Sequence, residues 1–416
     1  MTMQKKDSFS HRVGTQKLRI QFEGRPLKNA QVVIRQKKHK FLFGGFDFNA
    51  ISVANNELDD SRAIFLPEIF RKFVSLFNYA TLPFYWEESE LEKEQHEFER
   101  LKKTAEWLKS QGFAIKGHPL CWHTLCPESL LKLTNPQIKK ELLARIERVM
   151  NEFSGLIDIW DVINEPVIMP VFDKYDNGMT RLSKDIGRIG IIKETFANAK
   201  KINSDAQLLI NDFVYTSIDS YEILIEGCLE ASVPIDAIGI QSHMHQGYWG
   251  VERTQYILER FSRFRLPIHF TESTLVSGHN MPPDIVDFND YIIDDWATTP
   301  EGEEKQAIEA VTHYKTLFAN PYVESITWWE FIDGNWLGAP VGLITKDGRA
   351  KPAYHKIYEL IKEKWWTSSY NSKTDETGVL MASGFFGEYE IICNDKKGVF
   401  SLAKENADNL IVVDVK

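Results

Sequence analysis

Residues 156–166 have the sequence LIDIWDVINEP, a short apolar run that ends in the polar residues Asn164 and Glu165. The same pattern recurs from about residue 41 onward: a short apolar run, a loop and then an amphipathic helical stretch. The eight apolar runs are residues 41–46, 73–80, 113–117, 156–163, 207–210, 237–240, 267–270 and 323–329. Short continuous apolar runs are typical of strands that are buried on both faces. Eight such runs alternating with helices predict an α/β fold, a (β/α)8 TIM barrel.

The main structural alternative is an open, doubly wound sheet. A sheet of that kind usually contains a glycine-rich turn that binds phosphate. The sequence contains neither GxGxxG nor GxxxxGK, so the closed barrel is favoured.

The segments on either side of the barrel have a different pattern, in which polar and apolar residues alternate. Residues 16–38 alternate around a turn at residues 23–26, and residues 378–415 do likewise near Gly387 and Gly398. Alternation of this kind indicates antiparallel strands. We therefore predict that the two segments pair into one small β-sandwich, although two unrelated additions would give the same pattern.

These patterns divide the chain into four predicted parts. Residues 1–14 form a polar tail, and residues 15–40 form strands that pair with the C-terminal segment. Residues 41–365 form the barrel, and residues 366–416 form the C-terminal part of the β-sandwich.

The composition and charge of the 416-residue chain restrict its partners. The chain is 43% hydrophobic, 12% aromatic and 26% charged, which is typical of a globular protein. It has 49 basic and 59 acidic residues, a formal net charge of −10. An acidic chain without an extended basic stripe is poorly suited to nucleic acid or to an anionic membrane, so a neutral substrate is favoured.

The sequence also bears on the compartment. Residues 1–12 are polar and lack the apolar core of a secretory signal. No apolar run approaches the roughly 18 residues that a membrane span needs. Four scattered cysteines are too few for a disulfide framework. We expect a cytoplasmic protein if the chain is native, and a secreted or periplasmic one if a leader has been removed.

Two glutamates follow apolar runs, Glu165 after the fourth and Glu272 after the seventh. The carboxyl ends of barrel strands are where catalytic residues lie. Glycoside hydrolysis needs two carboxyl groups there, one protonated and one ionised. A partly charged His243 near Glu272 would keep that group ionised, and apolar neighbours would keep Glu165 protonated.

Amides, imidazoles and indoles are expected around the two glutamates, because residues with these side chains also lie at or just after the ends of the apolar runs. Such groups bind sugar hydroxyls and stack on sugar rings, so a neutral poly- or oligosaccharide is the expected substrate. The expected substrate-binding residues are His118, Trp122, His123, Asn164, Gln241, His243, Trp328 and Trp336.

Several motifs occur in one order along residues 41–365 and carry a resemblance to a known family. They are GHPLCWH at 117–123, WDVINE at 160–165, Asn211-Asp212, GIQSH at 239–243, Thr271-Glu272 and ITWW at 326–329. On these motifs the chain resembles family 10 glycoside hydrolases, the group that includes endo-β-1,4-xylanases. The resemblance implies that Glu165 is the acid/base and Glu272 the nucleophile of a retaining reaction. Retention in turn predicts a carboxyl separation of about 5–5.5 Å.

The second strand departs from the family pattern. Xylanases of this family usually carry a Glu-Asn pair and then a Lys-Trp pair there, which bind the two glycone sugars. This chain has no lysine between Asn78 and Glu92, and Pro83, Phe84, Tyr85 and Trp86 stand in that region. We therefore add Tyr85 and Trp86 to the expected binding residues. The departure predicts a reshaped glycone side that favours a decorated or non-xylan β-glycan, or cleavage near chain ends.

Three other interpretations are weaker. A zinc cluster of His118, Cys121, His123 and Cys126 would have irregular spacing, and structural zinc usually draws its ligands from two separated knuckles. A metal-dependent hydrolase built on His243-x-His245 would leave the two glutamates unexplained. A non-catalytic carbohydrate-binding protein should have lost one of the two carboxylates. We expect no metal or organic cofactor, and the sequence does not indicate an oligomeric state.

Overall fold

The computed structural model describes residues 9–87, 90–215, 218–293, 295–406 and 409–416. The chain divides into two compact units. The larger comprises Phe43–Leu317 and Tyr322–Tyr354, and the smaller comprises Met1–Leu42, Phe318–Pro321 and His355–Lys416. Within the described ranges, no helix is both long and apolar enough to cross a membrane.

Sixteen strands are described along these ranges. They are β1 Val13–Phe22, β2 Arg25–Pro26, β3 Gln31–His39, β4 Leu42–Phe46, β5 Tyr79–Pro83, β6 Ala114–His118, β7 Ile159–Asn164, β8 Gln207–Phe213, β9 Ala237–Met244, β10 Ile268–Leu275, β11 Val323–Trp329, β12 Tyr370–Lys373, β13 Val379–Phe385, β14 Gly387–Cys393, β15 Lys396–Leu402 and β16 Leu410–Asp414.

The described α-helices lie mainly between the strands β4 to β11. They are α1 Asn49–Asn55, α2 Asp60–Ala63, α3 Leu66–Leu76, α4 Leu91–Ser110, α5 Asn135–Glu152, α6 Gly178–Ile186, α7 Arg188–Ile202, α8 Ile218–Glu230, α9 Gly250–Ser262, α10 Pro300–Phe318 and α11 Pro352–Glu359.

Eight strands of the chain close into a barrel. Their order around it is β10-β11-β4-β5-β6-β7-β8-β9, so neighbours in the chain are neighbours in the barrel. Helices connect the strands, as parallel pairing requires. The predicted (β/α)8 barrel is confirmed.

The strand predicted for the second apolar run is wrong over its first residues. Residues 73–80 were predicted as a strand, but α3 extends to Leu76 and β5 begins only at Tyr79. Helix α3 buries Ile69, Phe70, Phe73 and Leu76 on one face. These residues recur at helical spacing, so the start of the apolar run belongs to a helix and only its end to a strand.

Helix α5 illustrates how local sequence starts the helices that support the barrel. Thr134 and Gln137 form a capping box, in which the Gln137 amide oxygen accepts a 2.9 Å hydrogen bond from the backbone N–H of Thr134. Pro136 occupies the first turn, where its missing N–H has no cost. Ile138 and Leu142 begin the buried stripe. The sequence signals for this helix therefore agree with one another.

The smaller unit contains two four-stranded sheets. In one, β1 lies between β13 and β16, with β2 paired to β1; in the other the order is β12-β3-β14-β15. Inward-facing residues of both sheets, among them Leu18, Ile34, Tyr389 and Ile391, form one hydrophobic core. The predicted β-sandwich, built from both ends of the chain, is confirmed. Residues 1–8 of the predicted tail lie outside the described residues, and Ser10–Arg12 form a short 3-10 helix.

Candidate active site

Polar residues lie towards the C-terminal ends of several barrel strands. They therefore meet at one end of the barrel. Strands β8, β9 and β10 continue beyond the predicted apolar runs, through Asn211, Gln241 and Glu272 respectively. All three side chains are buried. A buried polar group needs a partner: the Asn211 amide bonds Glu272, and the Gln241 amide bonds Asn164 and Glu165.

Glu165 directly follows β7 and has a φ of 53°, in the left-handed region that non-glycine residues seldom adopt. Its Oε2 accepts a hydrogen bond of 2.9 Å from the indole N–H of Trp122. Its Oε1 accepts one of 3.3 Å from the Gln241 amide. Burial raises the pKa of Glu165 to about 7. The hydrogen bond from Trp122 lowers this pKa, and the negative charge of Glu272 raises it further. A carboxyl group with this pKa can both give and take a proton near neutral pH.

Glu272 lies in β10, where the pairing register with both neighbouring strands shifts after Phe270. Its Oε1 accepts a 3.1 Å hydrogen bond from the Asn211 amide, and its Oε2 lies 3.0 Å from Nε2 of His243. Burial on its own would raise the pKa of Glu272. The hydrogen bond to His243 and the charge of His118 outweigh burial, so the pKa lies below its ordinary value. Glu272 is therefore ionised where Glu165 is still protonated.

A relay of amides connects the two glutamates. Asn164 Oδ1 accepts hydrogen bonds from Asn211 (2.8 Å) and Gln241 (3.0 Å). Asn211 also bonds Glu272, and its own Oδ1 accepts a 2.7 Å hydrogen bond from Thr271. Asn211 was not among the expected binding residues. It directly follows the fifth apolar run, so the signal that identified Glu165 was also present for Asn211.

His118 lies between Glu272 and a buried ion pair that Lys116 and Asp161 form. Its Nδ1 lies 2.7 Å from Asp161 Oδ2, and its Nε2 lies 4.0 Å from Glu272 Oε1. Burial would raise the pKa of Asp161, but the charges of Lys116 and His118 lower it below its usual value. An ionised Asp161 favours the proton on Nδ1 of His118 and so fixes the orientation of the ring.

His123 lies on the other side of Glu165. Its Nε2 is 4.0 Å from Glu165 Oε2, and its ring packs at 4.5 Å from that of Phe172. Burial lowers the pKa of His123 to about 3. The ring is therefore neutral, and it adds no positive charge that would draw the proton from Glu165.

The aromatic wall of the site contains Trp329 and Trp336. The Trp329 ring lies 5.5 Å from that of His118 and 6.2 Å from that of His243, and it stacks on Phe46 at 4.1 Å. The Trp336 ring lies 4.7 Å from that of His243. Both indoles therefore border the histidine that holds Glu272.

The prediction that Trp328 lines the site is wrong. Its side chain is fully buried, its indole N–H donates a 3.0 Å hydrogen bond to the carbonyl of Val341, and its ring lies 6.4 Å from that of Tyr314 on α10. Successive residues of a strand point to opposite faces. Trp329 therefore occupies the place that was expected for Trp328.

The residues after β5 divide between the core and the site. Phe84 packs against Phe153 and Trp160, with ring centroids 4.8 and 5.0 Å away, so it belongs to the core. Tyr85 lies beside the site, with its ring 5.6 Å from Trp122 and 6.1 Å from His118.

Trp86 borders a neighbouring cavity and not the glutamates. The cavity has a volume of about 470 Å³, and its lining includes Tyr85, Trp86, Phe48, Glu94 and Arg145. The Arg145 guanidinium carbon lies 5.3 Å from the centre of the Trp86 ring. Trp86 thus lines this cavity together with Tyr85, which also lies beside Trp122 and His118.

Across the described ranges, no group of three or more His, Cys, Asp or Glu side chains is arranged to hold a metal ion. Two members of the suggested zinc cluster have other contacts: His118 bonds Asp161, and Cys121 lies 4.0 Å from the sulfur of Met179.

The site thus combines a carboxyl group with a pKa near neutrality and an ionised carboxylate that is held by an imidazole and an amide. The first group can protonate a leaving group, and the second can attack as a nucleophile. This division of roles between two carboxyl groups is the requirement of glycoside hydrolysis.

Comparisons with known proteins identify relatives of the chain. Endo-1,4-beta-xylanase B of Thermotoga neapolitana is 29% identical over 297 residues, which cover 67% of this chain and 78% of that protein. Endo-1,4-beta-xylanase A of Caldicellulosiruptor sp. (strain Rt8B.4) is 27% identical over 276 residues, which cover 61% of this chain but only 38% of that protein.

Solved structures share the fold. Xylanase 10B from Thermotoga petrophila RKU-1 in complex with xylobiose superposes with a TM-score of 0.62 at 22% identity, covering 78% of this chain and 95% of that one. Native xylanase 10B from Thermotoga maritima superposes with a TM-score of 0.61 at 24% identity. The match covers 78% of this chain and 96% of that one. The model of glycosyl hydrolase family 10 matches residues 75–360, more than half of the chain. The chain therefore belongs to glycosyl hydrolase family 10 and is a glycoside hydrolase.

Proposed function

We propose that the protein is a retaining hydrolase that cleaves β-1,4-linked xylan or a xylan-like hemicellulose through a covalent glycosyl-enzyme. The observation that carries this proposal is the opposite tuning of two neighbouring glutamates. The pKa of Glu165 is raised to about 7, whereas that of Glu272 is lowered. The xylanase names of the relatives support xylan as the polymer.

The proposed reaction has two steps. In the first, Glu165 donates its proton to the glycosidic oxygen, that C–O bond breaks, and the Glu272 carboxylate forms an ester with the anomeric carbon. In the second, Glu165 takes a proton from water, which attacks the same carbon and releases Glu272. The Glu165 side chain is 16% exposed and that of Glu272 5%. This difference suits a group that must meet both the leaving sugar and water.

A second candidate is a family 10-like enzyme for a decorated or non-xylan β-glycan. The cavity beside Tyr85 and Trp86 favours it, because about 470 Å³ of space could receive a side group of the polymer. The third possibility, a carbohydrate-binding protein without catalysis, accounts poorly for two carboxyl groups with opposite tuning.

Hydrolysis of linear and substituted xylooligosaccharides tests these candidates. We expect cleavage of β-1,4 bonds with the product released first as the β-anomer, which proton NMR detects before mutarotation. Faster cleavage of substituted oligosaccharides would support the decorated polymer. Activity on unbranched xylan equal to that of ordinary endo-xylanases would contradict a reshaped glycone side. Release of the α-anomer first would contradict retention.

Trp122→Phe is expected to move the alkaline limb of the pH–rate profile to higher pH. Glu165 must be protonated to act as the acid, so activity falls as pH rises through its pKa of about 7. The indole hydrogen bond stabilises the ionised carboxylate and lowers this pKa. Removal of the bond therefore raises the pKa, which kcat/KM measured across pH 5–9 reports. Trp366→Phe, in the β-sandwich unit, is the control and should leave the limb unchanged; a shift to lower pH in Trp122→Phe would contradict the assignment.

A further inference from the structure

His245 is a buried histidine that the proposed reaction does not use. It directly follows β9, and its side chain is fully buried. Its ring lies 5.3, 5.9 and 5.1 Å from those of Phe288, Trp296 and Trp336 respectively. Burial lowers the pKa of His245 well below its ordinary value, so the ring is neutral and carries a single N–H. Among the described residues, its Nε2 has no hydrogen-bond partner, whereas its Nδ1 has one.

The hydroxyl of Thr274 lies between His245 and His243. Thr274 stands two residues after Glu272 in β10, so the two side chains share a face of the strand, and it pairs with His243 of β9. Its Oγ1 lies 3.4 Å from Nδ1 of His243 and 3.3 Å from Nδ1 of His245. It also accepts a 3.2 Å hydrogen bond from the backbone N–H of Met244. One hydroxyl group therefore contacts both imidazoles.

The Thr274 hydroxyl donates its hydrogen bond to one of the two imidazoles. Across the described ranges, its possible acceptors are the Nδ1 atoms of His243 and His245. Nε2 of His243 lies 3.0 Å from the ionised Glu272, and a carboxylate can only accept a hydrogen bond, so the neutral ring carries its proton on Nε2. Nδ1 of His243 is then bare and accepts the hydrogen bond from Thr274.

His245 donates to the same hydroxyl from its Nδ1. A proton on its Nε2 would instead leave a buried N–H without a partner among the described residues, which is costly. The Thr274 oxygen has two lone pairs, and the Met244 N–H occupies one of them. The other lone pair is therefore available to His245. The hydrogen bonds thus run in one direction, from His245 through Thr274 to the imidazole that holds Glu272.

We propose that Thr274 is a positioning residue that keeps the proton of His243 on Nε2, and that His245 orients the Thr274 hydroxyl for this task. While Glu272 is ionised, its charge favours the same position of the proton. In the glycosyl-enzyme Glu272 is an ester and has lost that charge, so Thr274 keeps the His243 N–H directed at the oxygen that must leave as a carboxylate. The effect on the reaction rests on the proposed function, whereas the positions of the protons do not.

The positions of the protons are tested without substrate, by NMR of the full chain labelled with ¹⁵N-histidine at about pH 8. Protonated and bare ring nitrogens give well-separated ¹⁵N resonances, and those of His243 and His245 are assigned from their loss in His243→Gln and His245→Leu. We expect the proton of His243 on Nε2 and that of His245 on Nδ1. A proton on Nδ1 of His243, or on Nε2 of His245, would overturn the proposal. Absence of xylan hydrolysis by the wild type would overturn only the proposed function.

Thr274→Val and Thr274→Ser separate the hydroxyl from the shape of the side chain. Valine has nearly the shape of threonine but cannot donate, so we expect kcat for xylooligosaccharides to fall at least about five-fold and KM to stay within about two-fold. The Nδ1 resonance of His243 should move at the same time. Thr274→Ser keeps the hydroxyl and should restore both the resonance and most of the lost kcat. An unchanged kcat or an unmoved resonance in Thr274→Val, or no restoration in Thr274→Ser, would overturn the proposal.

Aryl glycosides with acidic phenols as leaving groups identify the step that Thr274 serves. Their burst of phenol measures formation of the glycosyl-enzyme, and their steady rate measures its hydrolysis. We expect Thr274→Val to lower the steady rate at least about five-fold and the burst rate by less than about two-fold, because the contact matters most once Glu272 is an ester. Thr15→Val, at an exposed position of β1, is the control and should leave both rates unchanged. Equal losses in the two steps of Thr274→Val would indicate a general disturbance and overturn the positioning role.

Discussion

Glu272→Gln is expected to reduce turnover of xylooligosaccharides by at least about 10⁴-fold while sugar binding persists. The amide cannot form the ester with the anomeric carbon, so the covalent route is closed. It is nearly isosteric with the carboxylate, and its oxygen can still accept the hydrogen bond of Asn211. Initial-rate assays give the loss of kcat, and isothermal titration calorimetry with xylotriose gives the affinity.

The control for this variant is Glu301→Gln, which changes an exposed glutamate in the first turn of α10. It should have wild-type kinetics. A second variant, Glu272→Gly, makes room for azide, which should attack from the vacated face and give a glycosyl azide of the α configuration. Turnover by Glu272→Gln within about ten-fold of the wild type would contradict the role of Glu272 as the nucleophile.

Glu165→Gln is expected to lower hydrolysis of xylooligosaccharides by about 10²–10⁴-fold, because the sugar leaving group needs a proton. Aryl glycosides with acidic phenols as leaving groups need none, so their first step should be largely retained. Without a base, hydrolysis of the glycosyl-enzyme then becomes limiting. A burst of phenol in stopped-flow assays measures the first step, and the steady rate measures the second.

The pH dependence supplies the control for Glu165. The alkaline limb near pH 7 that the Glu165 pKa sets in the wild type should be absent from Glu165→Gln, because the titrating group has been removed. Equal loss on xylooligosaccharides and activated aryl glycosides would contradict the role of Glu165 as acid. A retained limb near pH 7 would assign that titration to another residue.

Much of the site could be predicted because the polar residues that end the barrel strands meet in space. The positions of Glu165, Asn164, Gln241 and Glu272 follow from where apolar runs stop, and in a closed barrel these stops lie at one end. Applied to every run, the same rule also identifies Asn211.

Other features depend on information that the sequence pattern lacks. Trp328 and Trp329 are adjacent and equally apolar, and only the register of β11 decides which one faces His118. Both faces of such a strand are buried, so no polar alternation reveals its phase. Phe73 likewise fits a buried helix or a buried strand, and the start of β5 at Tyr79 decides between them.

The pKa values were predictable in direction but not in origin. Burial of Glu165 and the imidazole beside Glu272 follow from the motifs. The hydrogen bond from Trp122 to Glu165, which opposes the effect of burial, requires knowledge of which way the indole points. Side-chain orientation of this kind is set by packing in three dimensions and not by spacing along the chain.

The pairing of β1 with both β13 and β16 has a consequence for synthesis in the cell. Strand β1 ends at Phe22, and its parallel partner β16 ends at Asp414. At about 5–20 residues per second, a ribosome needs about 20–80 seconds to make the chain between them. During that time the side of β1 that pairs with β16 is an open edge that could join a strand of another molecule. Lys17 and Arg19 place charges on its exposed and half-exposed positions, and such charges on an edge strand discourage nascent chains from aggregating on a crowded polysome.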